Sequence, residues 1–418
     1  MIVESGTDRT EGAENMNGQW VYVRLFQLCY NLASRCAPWR RAERVEGVGA
    51  LSRVPALLQG EGVKKPLLVG SPSFVRTGIA QSLCRSLDAA SMSYAVYSEV
   101  HADPTAATVE TLVSLYRAEG CDGIVAVGGG SPMDAAKAMA ARLARPERSI
   151  AALTGLLKVR RKTPPLIAVP TTAGTGSETS IAAVITDDVT HHKAEIMDFC
   201  LIPRYAVLDP ALCVSVPPQV TAMTGMDALT HAVEAYLCWT YNTKESLSCA
   251  EEAVRLIFQN LLHAYRHGDD LAARANMLEA AYLAGCAFTR AGVGYVHAIA
   301  HAAGGLYGVP HGMANAILLP IVLEDYGAAV HQKLARLAGI AGVGRASDDD
   351  AVRAAALIAA IRKLNAQMGI PDSLDCIRDA DIPQLVRWAL AEANPIYPVP
   401  VLYDEARCRA VIERAGRP

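Results

Sequence analysis

Residues 123–144 read GIVAVGGGSPMDAAKAMAARLA, and this stretch decides the fold. Gly123–Val127 is a short apolar run rich in β-branched residues, the pattern of a buried strand. It passes directly through Gly128, Gly129 and Gly130 into Ser131, Pro132, Met133, Asp134 and an alanine-rich helix former. Ser131 suits an N-cap, Pro132 the first helical position and Asp134 the carboxylate of a capping box, so a helix is predicted to start there. Glycines at such a junction permit a tight turn and a close backbone approach. The free N–H groups and dipole at the helix start favour an anion such as a pyrophosphate. A glycine-rich strand end can also be a plain turn, and a second loop sharpens the reading. The run Leu166–Pro170 ends in Thr171, Thr172, Ala173, Gly174, Thr175, Gly176, Ser177 and Glu178, which supplies hydroxyl and backbone donors at another strand end.

Working outward, apolar runs at Pro66–Gly70 and Tyr94–Val100 alternate with helical stretches such as Thr105–Ala118, where Val109, Leu112, Val113 and Tyr116 share a face. Strands alternating with helices predict a parallel sheet covered by helices, with ligands at the carboxyl ends of the strands. After about residue 210 strand signals stop. Long helical segments are predicted over 221–238, 245–265, 270–289, 295–304, 312–326, 328–340 and 350–368. The fold class is therefore α/β followed by all-α.

The helical half carries a second signal. Asp227 and His231 are four residues apart, as are His297 and His301, and His311 follows at Pro310. Residues four apart share a helix face, and imidazoles on apolar helices need partners. One carboxylate with up to four imidazoles reads as a divalent metal site. A solvated polar stripe through Asp227, His231 and Glu234 is the plainer alternative.

The chain has 418 residues, 51% of them hydrophobic and 19% charged, with a formal net charge of −3. That length implies more than one domain, and the charge balance selects no nucleic acid. Eleven cysteines without CxxC spacing read as reduced thiols of a cytoplasmic protein. The first 15 residues lack the order of a secretory signal. Trp20–Ala37 is apolar but carries Arg24, Gln27, Asn31 and Arg35 at helical spacing, too interrupted for a transmembrane span. It reads as an extra amphipathic helix on the body or on a neighbouring subunit, with an interfacial membrane helix as the alternative. The basic run Lys158–Lys162 reads as a solvated loop.

Four segments together resemble the metal-dependent, iron-containing alcohol dehydrogenase family: AVGGGSPMDAAKA at 126–138, PTTAGTGSE at 170–178, TGMDALTHAVEAY at 224–236 and GYVHAIAHAAGGLYGVPHGMANA at 294–316. The resemblance runs over roughly residues 45–415. It implies a Rossmann-like dinucleotide-binding domain at 46–210, a helical metal-binding catalytic domain at 211–418, and an N-terminal extension at 1–45. It also implies metal ligands Asp227, His231, His297 and His311, holding Fe2+ or, alternatively, Zn2+. His301 becomes a candidate for proton relay or cofactor positioning. Gly129, Gly130, Ser131 and Asp134, then Thr171, Thr172 and Thr175, match the cofactor loops, and Lys193 matches a lysine near the nicotinamide.

The implied activity is hydride transfer between an alcohol or aldehyde and NAD or NADP, with the metal polarising the oxygen, and the apolar texture of the helical half leads to an expectation of medium or long aliphatic alcohols. A homodimer or higher homo-oligomer is implied as well. A dehydroquinate-synthase-like enzyme would place Glu where this chain has Asp227, and a maleylacetate-reductase-like enzyme would lack the full ligand set. A non-catalytic scaffold of the same fold is the reading from another class. One departure concerns the ribose. Many relatives carry a carboxylate after the first strand, whereas here Gly70, Ser71, Pro72 and Ser73 follow, which predicts that NADP is accepted.

Overall fold

The computed structural model describes residues 8–188 and 193–417. Residues 1–7 of the expected N-terminal extension lie outside the described residues.

Among the described residues, the first half is built on nine strands: β1 Glu43–Glu46, β2 Pro66–Gly70, β3 Ala95–Tyr97, β4 Gly123–Gly128, β5 Gly155–Leu156, β6 Leu166–Pro170, β7 Ala182–Thr186, β8 Lys193–Met197 and β9 Tyr205–Leu208. Six form one sheet in the order β1-β9-β6-β4-β2-β3, and every pairing in it is parallel. Alternate residues enter opposite faces. Leu67, Val69, Ile124 and Ala126 join one apolar cluster, while Leu68, Val125 and Val127 join the other. Burying each such side chain contributes about 1.5–3 kcal/mol, so the central strands are apolar along their whole length.

Five strands, β1, β5, β7, β8 and β9, were not legible beforehand. In β1 only Val45 is buried, so ERVE reads as polar chain, yet it pairs with β9 from Glu43↔Tyr205 to Glu46↔Leu208. This strand straddles the boundary expected at residues 45 and 46. A second sheet, β5-β8-β7, stands apart, with β7 and β8 antiparallel. The run expected at Tyr94–Val100 is a strand only at Ala95–Tyr97, the three residues that pair with Leu67–Val69 of β2.

The junction after β4 folds as anticipated in outline but not in its cap. The helix spans Gly130–Ala144 with Gly129 as N-cap and no side-chain cap bond, so Ser131 lies inside the first turn. Asp134 does not close a capping box either. Its Oδ1 accepts from Ser177 Oγ at 2.8 Å, because the second loop delivers a hydroxyl there. Gly128 has φ +149°, and a Cβ on it would lie 2.7 Å from Pro132 Cγ, so this turn requires glycine.

From residue 218 on, the regular elements are helical. Pro218–Leu237, Lys244–Arg266 and Leu271–Ala291 pack together, and Tyr295–Tyr307 and His311–Tyr326 join them in one continuous apolar core. Four further α-helices follow, His331–Ala341 and Asp350–Gln367, as expected from the sequence, then Ile382–Ala393 and Glu405–Ala415. The halves meet closely where Gly176, at φ +60°, lies against the Leu271–Ala291 helix; a Cβ there would be 2.6 Å from Gly285 Cα.

The N-terminal helix spans Asp8–Ser34, and it inverts the ordinary amphipathic arrangement. Its polar stripe faces the body: Arg24 donates to the carbonyls of Val399 and Pro400, Gln27 to those of Pro395 and Tyr397, and Asn31 to that of Thr240. Val21, Leu25, Leu28 and Leu32 point outward. The reason is the loop beneath, whose carbonyls need donors. Among the described residues no helix is long and apolar enough to cross a membrane. Lys158–Lys162 is irregular chain, as expected of a loop.

Candidate metal centre and cofactor cleft

Asp227 and His231 lie one turn apart on Pro218–Leu237, His297 on Tyr295–Tyr307 and His311 at the first position of His311–Tyr326. Each offers a donor atom, and the four donor atoms lie within 4.8 Å of one another. Asp227 Oδ1 is 3.3 Å from His311 Nε2 and 3.8 Å from His297 Nε2, and Asp227 Oδ2 is 4.0 Å from His231 Nδ1. Asp227, His231 and His297 are buried, with His311 the more open member. His231 Nδ1 is buried with no hydrogen-bond partner. A buried orphan nitrogen facing a carboxylate fits a ligand awaiting a cation, and a mixed nitrogen and oxygen set suits Fe2+ or Zn2+.

Electrostatics point the same way. Burial lowers the pKa of His231 to about 4, against the pull of Asp227, and burial with the neighbouring imidazoles holds His297 well below its usual value. Both are neutral near pH 7, the form that binds metal. For Asp227 burial favours the protonated form, but His231, His311 and His297 outweigh it and keep the group ionised.

Two polar partners around the cluster were not assigned roles from the sequence. Glu234, three residues after His231 on the same helix, bonds His297 Nδ1 at 2.6 Å and accepts from Val296 N at 2.8 Å. This fixes the ring so that Nε2 faces the cluster. Burial raises Glu234 to about 8 against those backbone donors. Asn315, one turn after His311, donates to Asp227 Oδ1 at 2.7 Å and approaches His297 Nε2 and His311 Nε2 at 3.2 and 3.1 Å. The i,i+4 step from His311 was its only trace in the sequence.

His301 stands apart from the four. Its Nδ1 bonds Glu392 Oε1 at 2.8 Å, and Tyr397 OH donates to the same oxygen at 2.8 Å. Glu195, on β8, completes a second group, with its donor atom within 4.8 Å of those of His301 and Glu392. Burial opposes the imidazolium, but Glu392 and Glu195 prevail and raise His301 to about 9. Burial, with Glu392 beside it, raises Glu195 to about 7.

A cavity of about 280 Å3 runs past both groups. Of the residues expected to hold a cofactor, Gly130, Ser131, Asp134, Thr175 and Lys193 line it, together with all five site residues Asp227, His231, His297, His301 and His311. Gly129 packs beside Thr172, where a Cβ would lie 3.1 Å from Thr172 Oγ1, and Thr171 N donates to Gly128 O at 3.0 Å. These three support the glycine turn without lining the cavity. Gly70 and Ser71 are farther along the sheet, beyond the cavity lining. The space a side chain would occupy at Gly70 is filled by Phe74, 2.5 Å from a Cβ there, so this glycine makes room for a ring. Ser71 Oγ and Ser73 Oγ bond each other at 2.8 Å. Lys193 Nζ pairs with Asp103 at 2.6 Å at the cavity edge.

A buried brace beneath the cleft was also missed. Lys137 donates to Ser180 O, Ser180 Oγ and Ala182 O at 2.9, 2.8 and 3.0 Å, tying the Gly130–Ala144 helix to β7. Burial lowers Lys137 to about 8 and raises nearby Glu178 to about 7.

Comparison with known proteins covers both halves. Residues 42–210 match the family described as iron-containing alcohol dehydrogenase, and residues 221–415 match the C-terminal region of the Fe-containing alcohol dehydrogenase family. The chain is 39% identical to 1,3-propanediol dehydrogenase of Klebsiella pneumoniae, over 83% of this chain and 90% of that protein. It is 35% identical to NAD-dependent methanol dehydrogenase of Bacillus methanolicus, over 84% of this chain and 93% of that protein. A crystal structure of 1,3-propanediol oxidoreductase superposes with a TM-score of 0.87 at 35% identity, covering 90% of this chain and 99% of the other. With both halves matched in order, the chain belongs to the iron-containing alcohol dehydrogenase family and is a metal-dependent alcohol dehydrogenase.

Proposed function

We propose that Asp227, His231, His297 and His311 hold one catalytic Fe2+, with Zn2+ the alternative, and that a nicotinamide dinucleotide lies along the cleft beside them. The observation that carries this reading is the four-donor cluster, buried and containing an orphan nitrogen, on the wall of the cavity that starts at the Gly130 turn. When bound, the metal polarises an alcohol or carbonyl oxygen and the nicotinamide accepts or returns hydride.

The chain's own residues do the positioning. Glu234 orients His297, and Asn315 holds the Asp227 carboxylate toward the cluster. The N–H groups around Gly129, Gly130 and Ser131 face the pyrophosphate, with Asp134, Thr171, Thr172 and Thr175 shaping that turn. Lys193 lies at the nicotinamide side. His301, with Nδ1 held by Glu392, gives its Nε2 proton to the substrate oxygen in carbonyl reduction, and in alcohol oxidation it takes the proton back once that nitrogen has been deprotonated.

Residues 46–210 serve as the cofactor half and 211–418 as the metal half of the enzyme. NADP is accepted alongside NAD, because no carboxylate stands at Gly70–Ser73 to repel a 2′-phosphate and Ser71 can donate to one. The protein is cytoplasmic, consistent with eleven free cysteines. It forms a homodimer or larger homo-oligomer, for which the outward Val21, Leu25, Leu28 and Leu32, 58, 55, 47 and 69% exposed, supply an apolar face.

The test is a panel of alcohols and aldehydes assayed with both cofactors after reconstitution with Fe2+ or Zn2+. Turnover with neither metal would overturn the reading. A strong preference for NAD, unchanged in Ser71→Asp, would remove the cofactor-selection part alone.

A further inference from the structure

The N-terminal helix lies wholly before residue 42, where the family match begins. A helix added outside the matched body is either a surface ornament or part of the working site, and three observations tie this one to the reaction cavity. The first is the direction of its polar stripe. Gln27 is completely buried, and its amide donates to Pro395 O at 3.1 Å and Tyr397 O at 2.7 Å while accepting from Trp239 Nε1 at 2.5 Å. A glutamine buried with three such partners fixes the helix in register, since leaving any of them unpaired costs about 1–3 kcal/mol.

The second observation is what the helix holds. The bonds of Arg24, Gln27 and Asn31 fall on two segments, 238–242 and 394–400, and both of them also line the cavity, through Tyr241, Ile396 and Tyr397. Asn31 donates to Thr240 O at 2.7 Å, and Arg24 lies over the Trp239 ring at 4.7 Å. Tyr241 OH in turn donates to Ile396 O at 3.2 Å, so the helix and the two segments form one bonded unit. From Tyr397 the chain of contacts continues through Glu392 to His301.

The third observation is direct. Tyr30 itself lines the cavity, and its ring packs on Tyr241 with centroids 5.1 Å apart. The same cavity runs to the metal cluster and the Gly130 turn. The wall on the helix side, Tyr30, Tyr241, Ile396 and Tyr397, is largely aromatic and apolar, with Arg290 beside Tyr30 and Phe288 stacked on His231 between it and the cluster, whereas the glycines, hydroxyls and Lys193 line the cofactor side.

We propose that the N-terminal helix is a wall of the substrate pocket and that Tyr30 is a specificity-determining residue, setting how long an apolar alcohol or aldehyde tail the site accepts. The inference rests on the reading of the Asp227 cluster as the reaction centre. The substrate class is a primary alcohol or its aldehyde whose oxygen sits at the cluster and whose hydrocarbon tail runs toward Tyr30. One methylene more or less against a fixed wall changes discrimination by about tenfold or more.

The test compares the full-length parent with Tyr30→Ala, Tyr30→Trp and Tyr30→Phe on straight-chain primary alcohols from ethanol to octanol. Binding of the matching straight-chain amides, unreactive carbonyl analogues, is measured by calorimetry as a readout independent of turnover. Tyr30→Ala raises kcat/KM of the longer alcohols relative to ethanol by about tenfold, through KM, and tightens the longer amides in parallel. Tyr30→Trp moves both series the opposite way, and Tyr30→Phe keeps the parent profile. Active parent and variants with superimposable chain-length profiles overturn the inference while leaving the reaction centre standing. A metal-loaded parent that oxidises no alcohol in the series overturns both.

Discussion

His297 and His301 are one helical turn apart on the same apolar helix, and they do opposite things. His297 bonds a carboxyl group, Glu234, that burial keeps largely protonated near neutral pH, and its own pKa is driven well down by burial and by the imidazoles around it. His301 bonds Glu392 in a more open setting with Glu195 beside it, and its pKa is raised to about 9. The bond partners look alike on paper. What differs is the surrounding charge: three further ligand candidates around one ring, two carboxylates around the other. A neutral imidazole with a free lone pair is a metal ligand, and an imidazolium in a cleft is a proton carrier.

The comparison breaks most visibly if the two histidines are removed in turn. His297→Ala is expected to lose bound metal and at least about 1000-fold in kcat, the several kcal/mol a polarising cation supplies, with the fold retained because these helices share a continuous apolar core. His301→Ala should keep its metal and lose about 100-fold, the scale of one general acid–base group. Metal analysis beside steady-state rates checks both, and equal metal loss in the two variants would make His301 a ligand.

Exchanging the partners sharpens the contrast. Glu234→Ala should weaken metal binding by about 10–100-fold, as loss of a partner that orients a ligand does, with kcat recovered at saturating metal. Glu392→Gln should leave metal affinity intact and move the His301-dependent limb of the pH–rate profile downward, because the largest favourable influence on that imidazolium is gone. If Glu392→Gln instead releases metal, the two groups are one site.

The smallest effect is on stability. His301 is raised to about 9 in the fold from an unfolded value of 6.5, so between those pH values the native state holds a proton that the unfolded chain has lost. Its contribution, of order 1–3 kcal/mol, is complete below pH 6.5 and disappears as pH rises through about 9. Chelator-treated protein should lose stability across that window in thermal unfolding, and Glu392→Gln should flatten the loss. A slope unchanged by the substitution would place the proton elsewhere.

What was legible in the chain follows from how local each signal is. The β4 turn and the Asp227–His231 and His297–His301 pairs each fit within a few residues, so spacing alone revealed them. Glu234 was visible only as part of a polar stripe, because its value depends on His297, 63 residues later. Glu392 and Glu195 meet His301 only through tertiary packing. On β8, Lys193, Glu195 and Met197 alternate toward the cavity, and a strand that faces a polar cleft lacks the apolar alternation that would announce it. β1 was hidden for a similar reason, as an edge strand with one buried residue. The N-terminal helix was recognised as a helix but not by its facing, since an apolar stripe ordinarily turns inward and here carbonyls of 395–400 reverse that preference.

The central claim is that turnover depends on one metal held by Asp227, His231, His297 and His311. It is tested most directly by stripping the protein with a chelator and titrating Fe2+ back anaerobically, while following alcohol-dependent reduction of the nicotinamide cofactor. No turnover is expected without metal, and activity should rise linearly to a plateau at one ion per chain. Full turnover in the stripped protein, or a plateau unchanged in His231→Ala and His311→Ala, would contradict it.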